Sequence, residues 1–155
     1  MGLFDFVKDA GEKMFGAEEK KEDIVSVSPE RINQLRQEHI TKMIQDAGLQ
    51  IENLKVDANG ELVTLDGTAI NQQDSEKATL TAGNQFGISR VDNRIVVATP
   101  EPEAKMYSVK SGDTLSKIAR EYYGSANKYM VIFEANKPML TDPDKIYPGQ
   151  VLRIP

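Results

Sequence analysis

His39 is the only histidine and cysteine is absent, so this chain cannot assemble the His/Cys shells that hold transition metals. Nor can it form a Cys–His pair, and a Ser–His–Asp set would have to be built around that single imidazole. His39 falls at the flank of an apolar stripe, which reads as half-buried structure rather than a ligand or base. Asp142 and Asp144 could mimic the carboxylate couple of a glycosidase, but two aspartates at that spacing around a proline fit a surface turn better. No Gly-x-x-x-x-Gly-Lys-Ser/Thr phosphate cradle and no Gly-x-Gly-x-x-Gly dinucleotide turn occurs. The residues point to a binding protein, not an enzyme. The net charge of −5 is unevenly spread: residues 1–23 carry four Lys against seven Asp/Glu, and residues 24–99 carry seven basic against ten acidic side chains. Such acidic surfaces disfavour nucleic acid as a partner.

These side chains need elements to place them. Leu3, Phe6, Val7, Ala10 and Met14 recur at helical spacing, which predicts an amphipathic N-terminal helix that ends or kinks at Gly11 and docks on the next domain. The same segment lacks a basic n-region, a long apolar run and a small-residue cleavage site, so a cytoplasmic location is expected. Gly2 fails the myristoylation pattern because Phe occupies its sixth position, and no apolar run approaches membrane-spanning length. Residues 16–23 read as a charged linker. Ser28-Pro29-Glu30 then supplies an N-cap, a first-turn proline and an early acid, so a helix follows, with Ile32, Leu35, His39, Met43 and Ala47 on one face, Ile40 and Ile44 widening it, and Gly48 closing it. Ala58-Asn59-Gly60 predicts a hairpin, and its second strand ends at Gly67. Asn71 with Asp74 caps a second helix running to Ala82-Gly83, and Gly87–Val97 supplies a third strand with Val91, Ile95 and Val97 turned to a core. The order is αββαβ. Residues 99–105, with Pro100 and Pro102, form a stiff acidic linker.

The last fifty residues carry Tyr107-Ser-Val-Lys-Ser-Gly-Asp-Thr-Leu115, Ile118-Ala119, Tyr123-Gly124, Asn136, Ile146-Tyr-Pro-Gly149 and Leu152-Arg-Ile-Pro155. Residues 106–155 thereby resemble the LysM family, which implies a βααβ fold and, outside the membrane, binding to N-acetylglucosamine glycans. Val63-Thr-Leu-Asp-Gly67, the helix after it, and Gly87-Ile88-x-x-Val91-x-Asn93-x-Ile95 resemble the BON family over residues 24–98. Together they predict an α+β protein of two small domains: an αββαβ BON domain carrying the extra N-terminal helix of residues 1–23, and a βααβ LysM domain. That combination, behind Gly-Leu-Phe-x-Phe-Val-Lys-Asp-Ala-Gly-Glu-Lys and with Phe133-Glu-Ala-Asn-Lys-Pro-Met-Leu140, resembles the bacterial cytoplasmic potassium-binding protein family along the whole chain. The resemblance implies selective, reversible potassium binding, with the ion ordering the BON domain and its contact with LysM.

A chain without a ligand cluster can hold potassium through backbone carbonyls, because several neutral oxygens can replace the water of a large, weakly hydrated ion. The last carbonyls of a helix lack intrahelical partners and sit at the negative end of its dipole. Asp9-Ala10-Gly11 and Thr81-Ala82-Gly83 both read as helix ends, and Gly83-Asn-Gln-Phe-Gly87 can curl its carbonyls inward. The resemblance places the ion at these two segments. The expected ligands are the main-chain oxygens of Val7, Ala10, Glu12, Gly83, Gln85 and Ile88.

The rival reading is a peptidoglycan-binding adaptor whose sugar groove is formed by Gly112, Asp113 and Thr114 with the loop that ends at Ile146. Gly-Asp-Thr-Leu also serves as a turn followed by a helix cap. There is no Trp to stack on a sugar, although Tyr107, Tyr122, Tyr123 and Tyr147 could do so. On the potassium reading the protein is an expected monomer that senses or buffers the ion, its BON domain docking on LysM when loaded.

Overall fold

A computed structural model describes residues 2–6, 28–85 and 87–155. Strand β1 (Gly2–Asp5) precedes helix α1 (Pro29–Asp46), strands β2 (Ile51–Asn59) and β3 (Leu62–Asn71), helix α2 (Gln72–Gly83), and strands β4 (Arg90–Asn93) and β5 (Val96–Thr99). Then come β6 (Lys105–Ser108), α3 (Leu115–Tyr123), a 3-10 turn (Ala126–Lys128), α4 (Tyr129–Ala135) and β7 (Val151–Ile154). Strands β1 to β5 share one sheet in the order β1-β4-β3-β2, with β5 beside the far end of β3, while β6 and β7 form a separate antiparallel ribbon. The α+β expectation holds, and the second half follows the βααβ order.

The N-terminus departs from the expectation. Gly2–Asp5 is a strand, not the start of a helix, and it pairs antiparallel with β4 from Gly2↔Asn93 to Asp5↔Arg90. The alternation decides this: Phe4 and Phe6 turn to the core while Leu3 stays 61% exposed and Asp5 pairs with Arg90 at the surface. The rest of the predicted helix and the charged linker lie outside the described residues.

Helix α1 begins at the expected cap, with Ser28 Oγ accepting from the Arg31 N–H, and stops at Gly48, whose φ of +73° is the left-handed conformation glycine favours. Its buried face is narrower than the predicted stripe. Ile40 and Ile44 are the fully buried residues and Leu35 is exposed, because the first half of the helix packs polar groups on the β2–β3 hairpin. Asn33 Oδ1 accepts from the Gly60 N–H, Arg36 Nη1 donates to the Gly60 carbonyl, and Gln37 Oε1 accepts from the Ala58 N–H. Those bonds satisfy a hairpin end that an apolar stripe would leave unpaired.

Strand β3 continues past the predicted stop at Gly67 to Asn71. Gly67 has a φ of +145°, and a Cβ there would lie 2.9 Å from the Glu52 carbonyl oxygen, so the glycine accommodates a bulge where the β2 register shifts between Glu52 and Lys55. The predicted third strand is instead two short ones, both parallel to β3 and in one register, Val63↔Val91 and Thr68↔Val96. Asn93 makes the break. Its buried amide donates to Ser75 Oγ and Thr79 Oγ1 on α2, while its Oδ1 takes the Ile95 N–H that an unbroken strand would give to the ladder.

Helix α2 is buried on nearly every side, which explains its run of small and hydroxyl residues, Ser75, Ala78, Thr79, Thr81, Ala82 and Gly83. One side meets the five-stranded sheet and another meets β7. The outward N–H and C=O groups of β7 are taken by two side-chain amides. Asn84 bonds both backbone groups of Val151, at 2.9 and 3.0 Å, and Asn136 bonds both of Arg153, at 2.9 and 2.8 Å. Arg153 Nη2 pairs with Glu76 Oε1 at 2.9 Å, the two side chains 10% and 4% exposed, and Glu76 Oε2 accepts from the Ala104 N–H. Val151, Met106 and Met139 join the core between the sheet and its helices, and Leu115, Ile118, Ile132, Leu140 and Leu152 build a second core beneath α3 and α4.

Glu76→Ala removes one partner of a buried ion pair and leaves Arg153 uncompensated, so urea denaturation is expected to show a loss of about 3–5 kcal/mol. A loss of less than about 1 kcal/mol, the range of an exposed pair, would show that water screens it.

Candidate functional site

Of the sequence-predicted ligands, Gly83 ends α2 and Gln85 and Ile88 follow it in the chain. The Asn84 N–H closes the helix on the Leu80 carbonyl, and α2 has no basic residue in its last turn to neutralise its negative pole. Gly83 lies under an aromatic ring. A Cβ built there would stand 2.1–2.2 Å from three ring carbons of Phe6, so the ring rests directly on the glycine. The Phe6 N–H donates to the Ser89 carbonyl at 2.9 Å, extending the β1–β4 pairing by one bond. The sheet thus carries the residue before Val7 onto the first residue of the loop Gly83–Ile88.

Within that loop, Gln85 accepts the Ile88 N–H through its main-chain oxygen at 3.2 Å, while its side-chain amide donates to the Thr81 carbonyl at 2.8 Å. Among the described residues nothing donates to the carbonyl oxygens of Gly83 or Ile88. Gly87 takes a φ of +84°, and a Cβ there would meet Arg36 Nη2 at 2.2 Å, so the guanidinium lies against the loop. Burial lowers the Arg36 value from that of a free guanidinium, with Glu61 opposing the shift. Gly83, Gln85 and Ile88 lie within one short loop. Val7, Ala10 and Glu12 lie outside the described residues. No group of three or more His, Asp or Glu that could hold a metal ion occurs among the described residues.

Gly112, Asp113 and Thr114 are engaged by neighbouring residues of the same domain. Gly112, at a φ of +87°, accepts from Lys117 Nζ at 3.1 Å; Thr114 caps α3 by accepting the Lys117 N–H at 3.1 Å. Asp113 accepts from the Tyr107 hydroxyl and from the Lys110 N–H. These two bonds, the hydroxyl first, hold the Asp113 carboxylate below its ordinary range, and the same contact pushes Tyr107 up. Tyr107, Tyr122, Tyr123 and Ile146 are half-buried against the second core, and the Tyr147 hydroxyl is buried with no partner among the described residues, its value raised by desolvation. Asp142 closes a turn through the Asp144 N–H, the structural role expected of that aspartate pair.

Sequence reasoning missed Asn84, Glu76 and Arg153. Asn84 was visible as a residue of the glycine loop and Arg153 as part of the C-terminal motif, but nothing in the sequence pairs positions 67 and 77 residues apart.

The BON domain model matches residues 33–99 and the LysM domain model residues 107–155. The potassium binding protein Kbp of Escherichia coli O6:H1 is 48% identical over 158 residues, an alignment covering 100% of this chain and 99% of that protein. An uncharacterized protein of Deinococcus radiodurans is 52% identical over 50 residues, 32% of this chain and 19% of its own length. The uncharacterized protein YqbP of Bacillus subtilis is 38% identical over 60 residues, 33% of this chain and 27% of its own.

Alanine normally gains about 1 kcal/mol over glycine inside a helix. Gly83→Ala is nevertheless expected to destabilise the protein by about 1–3 kcal/mol in urea denaturation, because its methyl must displace the Phe6 ring; a gain in stability would show that the ring is not seated there. Asp113 contributes stability that is complete above the unfolded carboxylate value and is lost as pH falls through its lowered folded value. Asp113→Asn should flatten that acid limb in thermal melts from pH 6 down, and an unchanged limb would remove Asp113 as its source.

Proposed function

The chain belongs to the family of the potassium binding protein Kbp of Escherichia coli, and from that premise we propose that it binds potassium selectively and reversibly in the cytoplasm, as a monomeric sensor or buffer. One ion is held by the main-chain oxygens of Val7, Ala10 and Glu12 together with those of Gly83, Gln85 and Ile88. The observation that carries this reading is the Phe6 ring on Gly83: the sheet brings the N-terminal segment to the carbonyl end of α2. The rest is physical chemistry. A helix terminus with no basic side chain in its last turn attracts a cation, and a cage of uncharged carbonyls suits a large monovalent ion better than a small divalent one.

Loading the site ties the N-terminal segment to α2 and orders the sheet edge that β1 forms. The LysM domain then docks through β7, which already bonds α2 at Glu76 and the residue after it at Asn84. No described helix is long and apolar enough to cross a membrane. Glycan binding is the second reading, favoured by the LysM match. It would use Gly112, Asp113, Thr114 and Ile146, and the engagement of the first three in a turn and a cap weighs against it.

Thermal unfolding in potassium, sodium or a bulky organic cation at one ionic strength tests the proposal. A ligand of the folded state at 100 times its dissociation constant adds about 2.7 kcal/mol, several degrees for a domain of this size, whereas screening treats the three salts alike. A rise with potassium alone is expected, and deletion of residues 2–12 should abolish it. Coincident curves, together with retention on purified peptidoglycan, would favour the glycan reading instead.

A further inference from the structure

Asn84 stands between Gly83 and Gln85, two of the proposed ligands, yet its own side chain is engaged by the other half of the molecule. Nδ2 donates to the Val151 carbonyl at 2.9 Å, and Oδ1 accepts the Val151 N–H at 3.0 Å. The same Nδ2 stands 3.3 Å from the sulfur of Met139, a side chain that packs on both cores. Asn84 is 3% exposed, so water does not substitute for these partners. Its neighbour Gln85 behaves differently, its amide turned back to Thr81 and to the Met43 sulfur on α1. Of the two amides that flank the loop's first turn, one holds the loop to its own domain and the other holds it to β7.

The backbone makes that difference matter. The Gly83 carbonyl belongs to the peptide plane that ends at the Asn84 nitrogen, so its direction turns with the Asn84 φ; the plane after it turns with ψ. Asn84 has a φ of −82° and a ψ of 40°, between the helical and extended basins. A side chain pinned at both ends of its amide restrains that conformation from outside the loop. Resting on the potassium reading above, we propose that Asn84 is the positioning residue that couples ion occupancy at the end of α2 to the seating of strand β7. When the ion aligns the Gly83 carbonyl, the Asn84 amide faces Val151; when β7 is seated, that carbonyl is already aligned. The coupling is reciprocal by linkage, so potassium tightens the interdomain bond by the same factor that the bond tightens potassium.

The test uses the full chain, which has no cysteine, so that Lys55→Cys and Lys128→Cys accept one donor and one acceptor dye across the two domains. Potassium is titrated at constant ionic strength against a bulky organic cation, following energy transfer and calorimetric heat. Asn84→Ala removes both bonds from the loop side, and Val151→Pro removes the Val151 N–H bond from the strand side. Arg153→Met loosens β7 at Glu76, away from the loop. Each of the first two is expected to weaken potassium about tenfold, within the usual range of coupling between sites, and to abolish the potassium-dependent change in transfer; Arg153→Met should weaken it less. If Asn84→Ala fails to fold by circular dichroism, Val151→Pro carries the test. Affinity in Val151→Pro within twofold of the parent overturns the proposal, as does a loss in Arg153→Met as large as that in Asn84→Ala. A parent protein that gives no potassium response overturns the potassium reading itself, a distinct result.

Discussion

A two-stranded ribbon has two edges and no sheet on either side, so every outward N–H and C=O it buries must be satisfied by something other than a strand. The ribbon β6–β7 meets this demand along its inner edge with side-chain amides. Asn136 comes from its own half of the chain and Asn84 from the other, each matching one outward residue of β7 with a donor and an acceptor. An asparagine side chain can do so because it carries the same amide as the backbone it replaces. Between the Asn84 bonds and the Glu76–Arg153 ion pair, β7 is fastened to α2 and the residue that follows it.

That fastening sets the character of α2. A helix with a sheet on one flank and a strand on another has little room for long side chains, and its sequence is small and polar where an ordinary amphipathic helix would alternate. The polar atoms are not wasted. Ser75 and Thr79 receive the Asn93 amide that breaks the parallel strand, Glu76 receives Arg153 and Ala104, and Gly83 leaves space for Phe6. Three separate constraints, strand break, domain contact and N-terminal strand, therefore meet on twelve residues. The end of such a helix is held more firmly than an ordinary surface terminus, which is the preorganisation that a binding site needs.

Local chemistry made much of this fold legible. Ser28-Pro29-Glu30, Asn71 with Asp74, the Asn59-Gly60 turn and the Thr114 cap each act through neighbours in sequence, and each appears where the residues imply. The errors came where tertiary partners decide. Leu3 and Phe6 fit a helical period, but Phe4 and Phe6 also fit a strand, and only β4 beside them resolves the choice. The stripe on α1 was placed by hydropathy, whereas its first half is governed by three polar contacts with one hairpin. Asn93 carries no sign in the sequence that its amide will reach α2 and interrupt a strand.

The candidate site illustrates a deeper limit. Every residue has a carbonyl, so a site made from main-chain oxygens leaves no signature in side-chain chemistry; it shows only as permission for the backbone to curve and approach. Gly83 and Gly87 are that permission, one beneath an aromatic ring and the other against a guanidinium at a φ of +84°. The sequence suggested the loop through those glycines and through family resemblance, and neither could supply what lies on top of them. Arg36 adds a constraint of its own. A cation already rests beside Gly87, and its charge opposes any second cation nearby, so on the potassium reading the loop's oxygens must offset that repulsion as well as replace the ion's water. A large ion with weakly held water makes the smaller demand of the two alkali cations a cell must tell apart. On that reading, what favours one alkali ion over another is how rigidly the loop is held, by the Phe6 ring on Gly83 and by the Asn84 bonds to Val151, rather than the identity of any ligand.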